Sequence, residues 1–98
     1  MLIHVVTFTF KEEASDADVA AFHAAASRLA DDVPFLRTLR NGPDLGERPT
    51  NAGYGLVAEF DGAEDFYAYV EHPAHKRLVE SSVVPMCASW KSTQFLVD

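Results

Sequence analysis

Hydrophobic and polar positions alternate from the start of the chain. His4, Val6, Phe8 and Phe10 fall on one side of Leu2 to Phe10, and Ile3, Val5, Thr7 and Thr9 on the other. This period of two, rich in β-branched and aromatic residues, predicts a strand with apolar side chains on both faces. In a chain too short for two helical layers, such a strand is expected to meet helices on one face and another subunit on the other. The period then lengthens. Ser15 and Asp18 form a weak capping box, and Val19, Phe22, Ala26, Leu29, Ala30 and Val33 keep a helical spacing as far as Pro34.

Phe35 to Asn41 reads as a second, less regular strand. Gly42-Pro43 and the stretch from Gly46 to Asn51 then supply turn residues for a long exposed connection. From Gly53 to Phe60, Tyr54, Leu56, Ala58 and Phe60 share one face of a third strand. Asp61 and Glu64 offer a cap for a second helix, which carries the stripe Phe66, Tyr69, Val70. Pro73 interrupts this helix: the residue before a proline leaves the α region, so His72 ends one helix and Pro73 opens the next at its first position. The restart runs to Pro85, with His75, Leu78, Val79, Ser82 and Val83 on one face. Cys87 to Trp90 is a connector with Trp90 as an anchor or a pocket wall, and Lys91 to Val97 alternates as a last strand. The order β-α-β-β-α-β with right-handed crossovers implies an α+β, ferredoxin-like sandwich: a four-stranded antiparallel sheet with helices on one face.

The break at Pro73 concentrates the chemistry. His75 falls at the third position of the new helix, where the positive end of the helix dipole and burial both disfavour the protonated ring, leaving a neutral imidazole that can accept a proton. Tyr69 points to the buried side of its own helix. Two polar groups thus converge on an apolar space, and a general base with a hydrogen-bond donor suits proton abstraction beside a carbonyl. The competing structural reading is that the two groups only satisfy each other or a backbone carbonyl. His72 reads as a half-exposed junction residue. With no third ligand near it, the His72 and His75 pair gives no metal signal. His23 follows Phe22 around the edge of the first helix and reads as a flanking residue.

Composition narrows the partners. The 98 residues fit one domain, and eight basic against fifteen acidic side chains give a formal net charge of −7, which disfavours nucleic acid and anionic membranes. The lone Cys87 has no disulfide partner and reads as a small buried thiol. The apolar N-terminus lacks a basic leader, and no apolar run approaches a membrane span, so a cytoplasmic protein is the expectation.

Several motifs together carry a family resemblance. They are His4-Val5-Val6 followed by Phe8 and Phe10-Lys11, the run Tyr54-Gly55-Leu56-Val57-Ala58-Glu59-Phe60, and Tyr69 followed by His72-Pro73-Ala74-His75. In these the chain, over residues 1–98, resembles the stress-responsive A/B barrel (Dabb) domains of the dimeric α/β-barrel superfamily. The resemblance implies a homodimer joined through the sheet faces, with a small pocket in each subunit between the sheet and its own helices. One plant member is a polyketide cyclase that works without metal or organic cofactor. Tyr69 and His75 match its chemical groups and His4 a further pocket histidine, whereas Tyr54 stands where it has another histidine.

The residues and the resemblance together lead to these expectations. His75, Tyr69 and His4 are the candidate catalytic residues. Tyr54, Val6, Phe8, Phe22, Leu56 and Leu78 are the candidate substrate contacts, and His4, Tyr54, Tyr69 and His75 are expected along one cavity. No cofactor and no metal are expected, and the ligand class is a small carbonyl or aromatic compound. The function expected is a cyclase- or lyase-type enzyme, against a non-catalytic stress-response or ligand-binding protein and, further off, a cofactor-free monooxygenase.

Overall fold

The first strand, β1 (Leu2–Phe10), occupies an inner position of the sheet. The computed structural model describes residues 1–98. Helix α1 (Asp16–Ser27) and a short α2 (Leu29–Asp32) follow, then β2 (Thr38–Pro43) and β3 (Tyr54–Phe60). The second helical segment, on the same sheet face, is α3 (Ala63–Glu71) and α4 (Pro73–Leu78), then a π turn over Val79–Val83 and the single turn α5 (Val84–Met86). Strand β4 (Cys87–Leu96) ends the fold. The strands are antiparallel in the order β2-β3-β1-β4, which is the ferredoxin-like arrangement. No helix is long and apolar enough to cross a membrane.

Alternation along β1 does what the pattern requires. Leu2, His4, Val6 and Phe8 are buried beneath the helices with Tyr54, Leu56, Ala58 and Phe60 of β3. Phe22, Ala26, Leu29 and Val33 cover them from the first helical segment, and Phe66, Tyr69, Ala74, Leu78 and Val83 from the second. On the opposite face Ile3, Val5 and Val57 form an apolar strip with Phe95, which the register places beside Ile3. Val57 and Phe95 are exposed there.

Several boundaries differ from the sequence expectation, each for a local reason. The Ser15 side chain accepts from Asp18 N–H while the Asp18 carboxylate accepts from Ser15 N–H, a complete capping box. The helix it opens is not continuous to Pro34: at Arg28 the chain tightens, Asp31 N–H bonding the Arg28 carbonyl three residues back. Strand β2 begins at Thr38 rather than Phe35, because Leu36 N–H still bonds the Val33 carbonyl and pairing to β3 starts only at Arg37. Asp61 does not cap α3. Gly62 is the cap residue and Asp61 pairs with Arg37. Pro85 does not stop the helix, since the first turn of α5 needs no amide donor there. Strand β4 therefore starts at Cys87, not Lys91, and a bulge at Ala88 absorbs the change of register opposite Thr9 and Phe10.

Candidate functional site

The α3–α4 break redistributes four backbone groups, and two histidines take up the slack. Pro73 has no N–H to give the Tyr69 carbonyl, which is met instead by His72 N–H at 3.1 Å. Ala74 N–H donates to the Nδ1 of His72 at 3.1 Å, so the His72 ring serves as the N-cap of α4. The Val70 carbonyl thereby loses its helical donor. His75 Nδ1 lies 3.2 Å from it, and since a carbonyl only accepts, this nitrogen carries the proton. Neutral His75 is thus held with its Nε2 lone pair free. Burial lowers its pKa from the usual 6.5, and the Val70 bond works in the opposite direction.

His75 faces a cavity of about 290 Å³ between the sheet and the second helical segment. Tyr69 lies beside it, ring centroids 4.4 Å apart, and Phe66 packs 4.9 Å from the ring of His4. His4, Val6 and Phe8 from β1, Leu56 from β3, Leu78 from α4, and Val79 and Val83 from the π turn complete the inner wall. Trp90, Ser92 and Gln94 of β4 form the outer rim. Apart from two tyrosines and Cys87, His4 is the only buried residue with a polar or charged side chain. Gln94 Nε2 donates to its Nδ1 at 2.9 Å, and burial, reinforced by the nearby His75, lowers its pKa from 6.5 to about 4.

No hydrogen bond occupies the Tyr69 hydroxyl, the Nε2 of His75 or the Nε2 of His4. No buried side-chain nitrogen or oxygen lacks a partner, so all three atoms keep an open surface. Burial also raises the Tyr69 pKa above its usual 10, which keeps the phenol a donor. An apolar cavity with one neutral base and two neutral donors is equipped to polarise a carbonyl and take a proton beside it.

Two residues expected here lie elsewhere. Tyr54 and Phe22 are not on this cavity: the Tyr54 ring packs among Phe8, Phe10 and Phe22 with centroids 5.0 to 6.2 Å away. Its hydroxyl donates to the side-chain oxygen of Asn41 and lies 2.8 Å from His23 Nδ1. The alternation of β3 turned Tyr54 inward correctly, but toward α1 rather than α4. His23 flanks the stripe as expected, and its partner Tyr54 was not legible from spacing. A larger hollow of about 830 Å³ on the outer sheet face, bordered by Thr7, Asp44 and Lys91, contains none of the histidines. The rim residues Ser92 and Gln94 were missed as site residues. The alternation of the last strand had placed them on one face, but only the β1–β4 register brings that face to His4. No group of three or more His, Cys, Asp or Glu side chains is clustered closely enough to hold a metal ion.

The stress responsive A/B barrel domain (Dabb) matches residues 2–97. The chain belongs to this family. Among curated relatives, olivetolic acid cyclase from Cannabis sativa is 27% identical over 74 residues, covering 74% of this Dabb chain and 73% of the cyclase. Among solved structures, a dimeric ferredoxin-like protein of unknown function from Thermobifida fusca superposes with TM-score 0.89 and 29% identity, covering 98% of this chain and 90% of that one. The hydroxynitrile lyase of Passiflora edulis superposes with TM-score 0.87 and 18% identity, covering 99% and 93%; at that identity the likeness is one of fold.

Proposed function

We propose that this Dabb chain is a homodimer in which each subunit carries a small-molecule site, and that the site performs cofactor-independent lyase- or cyclase-type chemistry on a small carbonyl compound. The observation that carries the reading is the single cavity shared by three unpartnered polar atoms, one of them a lone pair held in place by the helix break. In this mechanism His75 Nε2 takes the acidic proton beside the carbonyl while the Tyr69 hydroxyl donates to the oxygen that becomes enolate. His4 Nε2–H serves as a second donor or orients the substrate. The lining carries no Lys, Arg, Asp or Glu, so a neutral aromatic or aliphatic carbonyl compound fits better than an anion. The cyclase among the curated proteins it resembles agrees with this reaction class.

Deuterium incorporation into the methyl group of acetophenone, beside calorimetric binding of the same compound, tests the proposal. His75→Ala is expected to slow exchange by about 10²-fold or more, and Tyr69→Phe to slow it less, both with the dimer folded. Binding without exchange in the unsubstituted protein would support a ligand-binding protein instead. Loss of melting temperature in both variants, with no binding in any, would leave these residues a structural role.

A further inference from the structure

The two histidines of the cavity are held in opposite ways, and the difference comes from an exposed residue on the edge strand. Gln94 is the Cα partner of His4 across the β1–β4 ladder, and its amide nitrogen reaches the Nδ1 of His4 at 2.9 Å. An amide NH₂ only donates, so Nδ1 must be the accepting nitrogen and the proton of neutral His4 must sit on Nε2. His75 has the reverse arrangement, with Nδ1 protonated against the Val70 carbonyl. We infer that Gln94 is a positioning residue, fixing His4 as the Nε2–H tautomer so that the cavity holds one histidine that donates and one that accepts.

This deepens the reading of the cavity as a proton-transfer site and rests on it for its chemical consequence. Two histidines free to choose tautomers would present the same polarity part of the time, and a pair of lone pairs cannot bind a carbonyl oxygen. A fixed donor at His4 gives a substrate one orientation, its oxygen toward His4 and Tyr69 and its acidic carbon toward His75. The other groups facing His4 do not compete for this control. From α4 comes neutral His75, from α3 come Phe66 and Tyr69, and the β3 residue paired with His4 is Ala58. No carboxylate or cationic side chain lines the cavity.

Ring-nitrogen NMR of the ligand-free dimer reads the tautomer directly, independently of turnover. In the unsubstituted protein His4 is expected as Nε2–H and neutral through the weakly acidic range, titrating only near pH 4. Gln94→Glu replaces a donor by an acceptor: His4 should switch its proton to Nδ1 and its titration midpoint should rise by about one unit or more. Gln94→Leu should give a mixture of tautomers with little change in the backbone spectrum, because the residue is exposed. An Nδ1–H tautomer in the unsubstituted protein would overturn the inference, as would a Gln94→Glu spectrum in which the His4 ring is unchanged. If the tautomer switches but deuterium exchange into acetophenone is absent throughout, the positioning role stands and the catalytic reading falls.

Discussion

His4 is an ionisable ring in the core of a small domain, and its burial has a pH signature. Folded His4 titrates at about 4 and His75 below 6.5, whereas both would titrate near 6.5 in the unfolded chain. Between those values the unfolded state binds more protons than the folded one, so stability rises with pH and is lost as pH falls from about 6.5 toward 4. Melting temperatures across that range are expected to fall with acid. His4→Gln, which removes the titration, should flatten the profile, and an unchanged slope in that variant would place the acid sensitivity elsewhere. If His75 is the base, activity should rise with pH as His75 loses its proton, in a range below the ordinary imidazole value.

At the scale of elements, the strongest local instructions sit at chain breaks and caps. Ser15→Ala removes half of a reciprocal cap that opens the helix carrying Phe22 and Ala26. The expected cost is about 1 kcal/mol, seen as a fall in melting temperature or denaturation midpoint, with ligand binding unaffected because α1 contributes no residue to the cavity lining. The Pro73 break matters differently. It frees the Val70 carbonyl that sets the His75 tautomer, so a packing defect in sequence terms becomes the support of the candidate base. The rim of the cavity is built from β4, which is exposed over all but Cys87. Helices cover β1 and β3 and leave this edge open, so it is the side from which the proposed ligand would reach the cavity.

At the scale of the whole molecule, the sheet face away from the helices stays open. Ile3, Val5, Val57 and Phe95 share that face, and no segment of the chain covers it. A second copy would bury it, as the dimeric relative from Thermobifida fusca suggests. Light scattering is expected to give twice the 10.8 kDa chain mass, and Val5→Lys, which puts a charge in the middle of the strip, should yield monomers that are less stable yet retain the sheet. A monomer in the unsubstituted protein at micromolar concentration would overturn the dimer.

The number of strands, the ferredoxin-like order and the face to which each histidine turns were legible in the sequence, because they follow from local periodicity, proline and the handedness of crossovers, though where β2 and β4 begin was not. Periodicity says which face a side chain takes, and the break at His72-Pro73 is written into two residues. Which inward-facing residues meet each other is a different question. Tyr54 and His75 both point into the core, yet one packs under α1 with His23 and the other under α4 with Tyr69, and only the placement of helices along the sheet separates them. Helix ends behaved similarly: Asp61 had the chemistry of a cap but found Arg37, and Pro85 fell where a first turn tolerates it. Gln94 shows the limit most plainly. Its alternation was clear, but the contact with His4 spans 90 residues of sequence and exists only through the β1–β4 register, which is set by the bulge and by packing across the whole sheet.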